Sequence, residues 1–332
     1  MRRRPALLLA ASGAAVVLAS LAGLIAGAKA MPLGVALAGL FGAAGDEATL
    51  IMRELRLPRI ALGALVGAAL GLSGAIIQSA TRNPFGDPGL LGINAGASLA
   101  VVLGAGVFSL TDIPALLALA AAGAAIAACA VAFVAGTTRG AVAPVQIALA
   151  GVAVGALCYG LTQAIALADP ERFDLVRNWR VGALSGEARI ILPAVLPVFL
   201  SGFALAALLA PRLDLLALGE ERAASLGISV GWTQALCLFA VVLLAGGATA
   251  AAGPIAFIGL AAPHIARRLV GAGETRVQPQ AALLGAALTI AADALGRVVA
   301  LPGELPVGVV TALLGSPMLI LVARARRQPE RP

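Results

Sequence analysis

Few residues of this chain are of the types that do chemistry, and their spacing excludes most kinds of active site. His264 is the only histidine, so a multi-histidine metal site and an HExxH metalloprotease motif are both excluded. Lys29 is the only lysine, and because neither Ser nor Thr follows it, no GxxxxGK[ST] loop for nucleotide phosphates exists. A GxSxG motif is also absent, and no nucleophile lies near a base. The chain is therefore not a P-loop ATPase, and an enzymatic role lacks its basic requirements.

Asp293 and Arg297 are a charged pair inside a long apolar region. They lie four residues apart, so a helix places them on one face. Carboxylates within a membrane often relay ions or protons. An alternative function is therefore an ion-coupled secondary carrier in which Asp293 is the relay. That alternative also requires inverted halves with matched broken helices, which the sequence does not contain. We favour an ion pair at the outer boundary of a span. His264, beside Arg267 and Arg268, is expected to cap or pack a helix rather than bind a ligand.

The composition predicts the elements that carry these residues. The chain has 332 residues, of which 61% are hydrophobic and 12% charged, and its mean hydropathy is +1.01. It is expected to be an all-α, polytopic membrane protein, because most uncharged runs exceed the roughly 20 residues that a spanning helix needs. The long run 223–266 is divided in two because Gly246-Gly247 and Gly253-Pro254 offer a turn. Ten spans are predicted in one transmembrane domain over 1–332: 5–28, 60–81, 88–111, 113–138, 140–168, 190–211, 228–250, 253–268, 277–296 and 305–323.

The distribution of arginine predicts the orientation. With both termini in the cytoplasm, the inner side holds 14 of the 23 basic residues and 6 acidic ones, and the outer side holds 9 and 10. Basic residues flank apolar spans instead of forming one patch, so no nucleic-acid partner is expected. The alternative is a cleaved signal peptide ending near Ala28-Lys29-Ala30, but the 24-residue apolar stretch is longer than a signal requires. Cys129, Cys158 and Cys237 are expected to be small buried apolar residues.

Small residues and prolines shape the first half of the chain. Gly63, Gly67 and Gly71 lie four residues apart, a spacing that lets another helix approach closely. Pro84 and Pro88 interrupt any helix between spans two and three. Glycines 89, 92 and 96 allow an anion site at the following helix N-terminus as an alternative, but a tight turn between packed helices is favoured.

The segment 212–227 places five charges between two apolar runs. Gly219 and Gly227 divide it into short helical pieces that are amphipathic and too short to cross a membrane. Such a segment is either a plain connecting loop or a surface for a soluble partner.

Five ordered motifs resemble the FecCD and BtuC-like permeases, which are type II ABC importers of ferric siderophores, haem and vitamin B12. They span most of the chain and are Leu55-Arg-Leu-Pro-Arg59, Arg82-Asn-Pro-Phe-Gly-Asp-Pro-Gly-Leu-Leu-Gly92, Leu218-Gly219 with Leu226-Gly227, Gly253-Pro-Ile-Ala-Phe-Ile-Gly-Leu-Ala-Ala-Pro-His-Ile-Ala-Arg267, and Glu304-Leu-Pro-Val-Gly308. Asn83-Pro84-Phe85-Gly86 departs from the Asn-Pro-Leu-Ala that is usual in this family.

The resemblance implies ten spans with short cytoplasmic coupling helices in a bacterial inner membrane. It also implies a second permease subunit, and a homodimer is the first expectation. The other implied partners are two cytoplasmic ATPases that bind the ATP, an outer binding protein and the surrounding lipid. No cofactor or metal is expected on this chain. The arginines implied to meet the binding protein are Arg56, Arg59 and Arg297. The residues implied to couple to the ATPase are Leu218, Gly219, Glu220, Glu221, Arg222, Ala223, Leu226 and Gly227. The structural motif residues are Asn83, Pro84, Pro88, Gly92, Gly253, Pro254, Pro263 and His264.

The motif at residues 83–96 looks most like the ferric-siderophore branch, with haem and then cobalamin as alternatives. Spans four and five are nearly uncharged, and an uncharged path suits bulky chelates because passage needs weak contacts rather than a tight site.

Overall fold

The computed structural model describes residues 5–27, 31–42, 45–136, 144–168, 181–184, 187–301 and 303–325, and within these ranges the chain is helical without any strand. The helices are α1 Pro5–Ile25, α2 Leu33–Phe41, α3 Asp46–Leu50, α4 Leu57–Ala80, α5 Ile93–Val102, α6 Ile113–Gly136, α7 Pro144–Ala168, α8 Ala188–Leu216, α9 Glu220–Ser225, α10 Val230–Val241, α11 Gly247–Ala252, α12 Ile258–Val270, α13 Glu274–Val299 and α14 Val307–Ala325. The described part of the chain also contains three π-helical stretches. Ile51–Arg56 makes α3 continuous with α4, Leu103–Val107 extends α5, and Val242–Gly246 joins α10 to α11.

The lengths of the helices bear out a multi-pass membrane protein. Seven helical stretches in the described part are long and apolar enough to span: Pro5–Ile25, Glu47–Ala80, Ile113–Gly136, Gln146–Ala168, Ala188–Leu216, Val230–Ala252 and Glu274–Val299. Two shorter apolar helices, Ile93–Val107 and Val307–Pro317, and the 13-residue α12 lie where the other predicted spans fall. A 13-residue helix is about 20 Å long, less than the ~30 Å of a bilayer core, so the count of ten spans stays a prediction.

Helix α4 lies at the centre of the bundle, against α8, α12 and α13. Its predicted small-residue face is confirmed: a methyl group on Gly67 would overlap the carbonyl of Gly285, and one on Gly71 the carbonyl of Ala281. Gly96 of α5 and Gly123 of α6 meet in the same way, which favours the packing interpretation of Gly96. Glycine is needed at these positions because the two backbones are in direct contact.

A proline usually interrupts a helix, so the sequence predicts a break at Pro263, but this prediction is wrong, since α12 runs through it from Ile258 to Val270. Proline has no N–H for the carbonyl of Gly259, one turn earlier in the helix. The side chain of Gln78 in α4 donates to that carbonyl instead, at 3.2 Å, and so replaces the hydrogen bond that the proline cannot make.

The structure corrects several other predictions. Gly246-Gly247 lies within the helix Val230–Ala252, and the turn is the segment 253–257, where Gly253 and Phe257 have positive φ. The mixed segment 31–57 is predicted to hold one short helix on the outer surface, but it forms two helices, and the second continues directly into α4. Cys158 and Cys237 are buried, but Cys129 is exposed because its face of α6 points away from the bundle. Most of the outer loop 168–189 and the Ala28-Lys29-Ala30 site lie outside the described residues.

Candidate functional site

The functional residues predicted from the sequence collect at the two ends of the α4–α13 pair. One end, called here the α9 end, contains the C-termini of α4, α8 and α12, the N-terminus of α13, and α9. The other, called the Asp293 end, contains the C-termini of α1 and α13 and the N-terminus of α4. Since α4 and α13 run in opposite directions along the bundle, the two sets of charges are separated by the length of these helices.

At the α9 end, a six-residue helix projects between two glycines with positive φ, Gly219 at 112° and Gly227 at 85°. Only Ala223 of α9 is fully buried, and it packs into the main apolar core. The other side chains form an exposed charged surface next to two exposed leucines, which are 52% and 58% accessible. This surface contains Glu220, Glu221, Arg222, Leu218 and Leu226. The predicted coupling residues are thus brought together on one small protruding element.

Arg82 ties this element to the turn after α4. Its guanidinium lies 3.7 Å from the carboxylate of Glu220 and donates to the carbonyl of Leu216 at 3.3 Å. Arg82 holds a left-handed φ of 51°, an uncommon conformation for a non-glycine residue that directs its side chain across to α8 and α9. The sequence analysis counted Arg82 only for topology and as the start of a motif. Both partners of the ion pair are about half exposed, so the pair contributes about 1 kcal/mol at most to stability.

The prolines of the 83–92 motif form a compact turn. The side chain of Asn83 accepts from the N–H of Phe85 at 3.0 Å, and that of Asp87 accepts from the N–H of Gly89 at 2.8 Å. Burial raises the pKa of the Asp87 carboxyl, while the Gly89 N–H opposes this shift. Because the Asp87 side chain already accepts from the N–H of Gly89, the turn satisfies its own donor, and the structure favours the turn over an anion site.

The motifs at 83–92 and 253–267 are distant in sequence but pack together. Pro88 lies directly beside Gly259, where a methyl group would come within 2.9 Å of the proline ring. Gly92 has a φ of 69° and begins the helix α5. Pro254 lies against Gly182, and His264 is half-buried in the middle of α12 rather than at its end. These residues therefore shape the joint between α4, α5 and α12.

A polar network joins α4, α12 and α13 at the α9 end. The carboxylate of Glu274, at 2% exposure, accepts from Ser79 at 2.6 Å and pairs with Arg267 at 3.0 Å. Arg267 also donates to Ser79 at 3.1 Å and to the side-chain oxygen of Gln78. Sequence reasoning missed this network because its members lie in three different helices, and no known motif links them.

At the Asp293 end, the predicted ion pair is confirmed and is part of a larger buried cluster. Arg59 holds the Asp293 carboxylate with its Nε and Nη2, at 3.1 and 2.8 Å, and pairs with Glu304 at 2.9 Å. Arg297 reaches the second oxygen of Asp293 at 3.0 Å. Asp293 is 3% exposed, and both of its carboxylate oxygens receive guanidinium N–H groups. This geometry weakens the relay interpretation, because the carboxylate is used to hold α4 against α13.

Two of the three predicted docking arginines also hold the end of α1. Arg56 donates to the carbonyls of Leu24 and Ile25, and Arg297 donates to Ala26 at 2.9 Å. Positive side chains at a helix C-terminus satisfy its last carbonyls and complement its dipole. Arg56 and Arg297 are 6% and 3% exposed, whereas the side chain of Arg59 is 17% exposed. The three arginines are thus adjacent, and their role toward a binding protein stays a prediction.

Helix α7 presents much of its surface outward. A methyl group on Gly155 or Gly160 would meet no atom of the described residues within 4 Å. Its exposed large side chains are Leu149, Val152, Leu157, Tyr159, Leu161 and Leu167. A long helix with this surface contacts either lipid or another apolar helix.

The FecCD transport family matches residues 15–325. The chain belongs to this family. The ferric enterobactin transport system permease protein FepD of Escherichia coli (strain K12) is 45% identical over 94% of this chain and 93% of its own length. The Fe(3+)-citrate import system permease protein YfmD of Bacillus subtilis (strain 168) is 38% identical over 85% of this chain and 84% of its own length. The ferric enterobactin transport system permease protein FepG of Escherichia coli is 37% identical over 93% of this chain.

The fold of this FecCD chain also matches a solved structure described as an inward-facing conformation of a metal-chelate type ABC transporter. The TM-score is 0.83 at 24% identity, over 97% of this chain and 99% of the other. The likeness bears out the predicted helical architecture.

Proposed function

We propose that this chain is the permease subunit of an ATP-driven ABC importer for ferric-siderophore complexes. The observation that carries the proposal is α9, a short charged helix with two exposed leucines at one end of a membrane bundle, in a chain 45% identical to a ferric enterobactin permease. A helix of this size gives a soluble ATPase a projecting surface to hold, and the rest of the bundle responds to it. The chain itself contributes no ATPase site and requires no cofactor.

In this proposal, the α9 end lies in the cytoplasm and the Asp293 end faces the outside of the bacterial inner membrane. Both termini are then cytoplasmic, as the arginine distribution requires. Two ATPase subunits dock at the α9 surfaces of the two permeases. A binding protein delivers the chelate at the Asp293 end, where Arg59 and Glu304 are the most accessible members of the cluster around Asp293.

The second permease subunit covers the outward face of α7. Gly155 and Gly160 leave room there for close helix approach, and the apolar side chains around them suit a helix rather than water. A second copy of this chain is the first expectation. FepD and FepG, two permease proteins of one ferric enterobactin system, represent the alternative of two related chains. Co-purification of two differently tagged copies of this chain separates these cases.

Uptake measurements test the proposal. Cells lacking the gene, and cells complemented with it, are given radiolabelled iron as ferric catecholate, citrate or hydroxamate complexes, and separately labelled haem and cobalamin. We expect ATP-dependent loss and recovery of ferric-siderophore uptake. Loss of haem or cobalamin uptake alone would contradict the substrate class and keep the family role, and uptake that survives ATP depletion would contradict ATP-driven transport.

A pair of variants tests the coupling role of α9. We expect Glu220→Ala combined with Arg222→Ala to reduce uptake while the protein remains at its normal level in the membrane. Arg189→Ala is the matched control, because it removes an exposed arginine at the start of α8, far from α9. Normal uptake by the α9 variant would contradict the coupling role.

A further inference from the structure

The last turn of α8 carries a carboxylate that serves a different helix. Asp214 accepts hydrogen bonds from the backbone N–H groups of Glu274, at 2.5 Å, and of Thr275, at 3.5 Å. These are the first two residues of α13, and the preceding Gly273 has no side chain with which to cap them. Asp214 is therefore the N-terminal cap of α13, supplied from the chain just before α9.

Helices α4 and α13 are joined to each other at three levels along their length and form one unit, called here the α4–α13 unit. Ser79 binds Glu274 at the α9 end, the backbones touch at Gly67 and Gly71 in the middle, and Arg59 binds Asp293 at the far end. Directly contacting backbones with ion pairs or hydrogen bonds at both ends leave little freedom for the two helices to slide separately. A force on the start of α13 is thus shared with α4.

Helix α8 is joined less closely to this unit. Beyond Asp214, α8 and α13 enclose a crevice of 380 Å³, lined among others by Phe203 and Ala207 of α8 and by Gln278 and Pro279 of α13. The bonds of Asp214 close the end of this crevice. These hydrogen bonds are a polar contact across the interface between α8 and α13, which is incompletely packed.

Asp214 also lies six residues before the start of α9. Of the six residues in α9, only Ala223 is buried, so this helix is held weakly by the core and its position depends on the chain at either side. A displacement of α9 is carried to the end of α8, and Asp214 is the side chain that meets α13 there.

We infer that Asp214 is the positioning residue that passes a displacement of α9 to the α4–α13 unit, and so to the Arg59–Asp293–Arg297 cluster at the opposite end. The inference rests on the proposed function, because a docked ATPase is what displaces α9. Asp293 lies 19 residues after Glu274 in α13, about 28 Å along the helix, so the N-terminus of α13 and its buried cluster are separated by about the thickness of a bilayer core. Through α13, the Asp214 cap is therefore connected to both the α9 end and the Asp293 end.

The test compares Asp214→Ala, Asp214→Asn and Asp112→Ala in the complete transporter, reconstituted with its ATPase and binding protein. Asp112 is the matched control, because its carboxylate caps α6 through the N–H of Ala115 at 3.1 Å and has no bond to α8 or α13 in the described structure. The first measurement is ferric-siderophore import per ATP hydrolysed. The second is the ATP-dependent change in maleimide labelling of Leu301→Cys, an exposed position after α13, in a background whose three cysteines are alanine.

We expect Asp214→Ala to lower import per ATP by about five-fold, a shift of the size caused by losing one helix cap, and to suppress the labelling change. Asp214→Asn keeps an oxygen acceptor and should restore most of both. Asp112→Ala should leave both readouts unchanged although it also removes a cap. A merely structural role of Asp214 would lower stability without changing the ratio of import to ATP hydrolysis.

An unchanged ratio and labelling response in Asp214→Ala, or an equal loss in Asp112→Ala, would overturn the inference. The labelling readout uses no substrate. If the wild-type complex shows the ATP-dependent change but imports no ferric siderophore, the substrate assignment fails, and the effect of Asp214→Ala on labelling still decides the inference.

Discussion

The buried cluster around Asp293 and the exposed helix α9, at opposite ends of the α4–α13 pair, use charged residues in opposite ways. At the Asp293 end, arginines from α4, its preceding π-helical stretch and α13 bind one buried carboxylate and the last carbonyls of α1, so charge holds helices together. At the α9 end, Glu220, Glu221 and Arg222 are exposed on a helix with one buried residue. Buried charges must find partners within the chain, whereas exposed ones are free to meet another protein. The difference indicates which charged residues stabilise the fold and which serve a partner.

The largest expected effect is at the buried cluster. Asp293→Ala leaves Arg297 buried without its carboxylate, and breaking a buried ion pair in this way costs about 3–5 kcal/mol. We therefore expect little folded protein in the membrane fraction. The measurement is the amount of protein that is stable and monodisperse in detergent. Glu304→Ala is the control, because the side chain of Glu304 is 43% exposed and its loss should leave the amount close to wild type. Similar amounts for both variants would contradict a structural role for the cluster.

A smaller effect is expected in the middle of the pair. Gly67→Ala places a methyl group against the Gly285 carbonyl, and such overpacking costs about 1–3 kcal/mol. The measurement is the thermal unfolding midpoint of the purified protein in detergent, which should fall. Gly13→Ala in α1 is the matched control, since its new methyl group meets no atom within 4 Å. An unchanged midpoint for Gly67→Ala would show that α4 and α13 are less closely packed than described.

The proline in α12 allows a third, comparable test. Gln78→Leu leaves the Gly259 carbonyl without a donor, a loss of about 1–3 kcal/mol for a buried group. In a Pro263→Ala background, the restored backbone N–H can bond that carbonyl, so Gln78→Leu should then cost less. The same thermal measurement on the four proteins of this cycle checks the coupling. Equal costs in both backgrounds would mean that Gln78 acts through Arg267 alone.

The smallest effect on stability is expected at the α9 end. Arg82→Ala breaks a half-exposed ion pair with Glu220, worth about 0–1 kcal/mol. The unfolding midpoint should barely change, while import per ATP hydrolysed should fall because α9 loses its tie to the turn after α4. If stability and import fall together, then Arg82 belongs with the structural charges of the Asp293 end.

Most of the architecture could be predicted from the sequence. Long apolar runs and the glycines of α4 indicated a helical membrane bundle with close packing, and the motifs indicated the FecCD family, because these signals are local. The pair Asp293 and Arg297 was predictable from its spacing for the same reason.

The rest depends on contacts between distant parts of the chain. The continuation of α12 through Pro263 requires Gln78, which lies 185 residues earlier and donates to Gly259. The roles of Arg56 and Asp214 as partners of other helices are equally non-local, since a single sequence does not indicate which carbonyl or N–H group a side chain will meet. The sequence places Asp214 near the N-terminal side of the segment 212–227, where a helix dipole favours an anion, and the structure identifies the helix that it caps as α13.

The most direct test of the central claim is photo-cross-linking from α9 in living cells. A photoreactive side chain is placed at Leu226, beside α9, and in a second strain at Leu301, at the Asp293 end; both positions are more than half exposed. We predict a covalent adduct with the cytoplasmic ATPase from Leu226 and none from Leu301. An ATPase adduct from Leu301, or none from Leu226 in cells with active uptake, would contradict the assignment of α9 as the coupling surface.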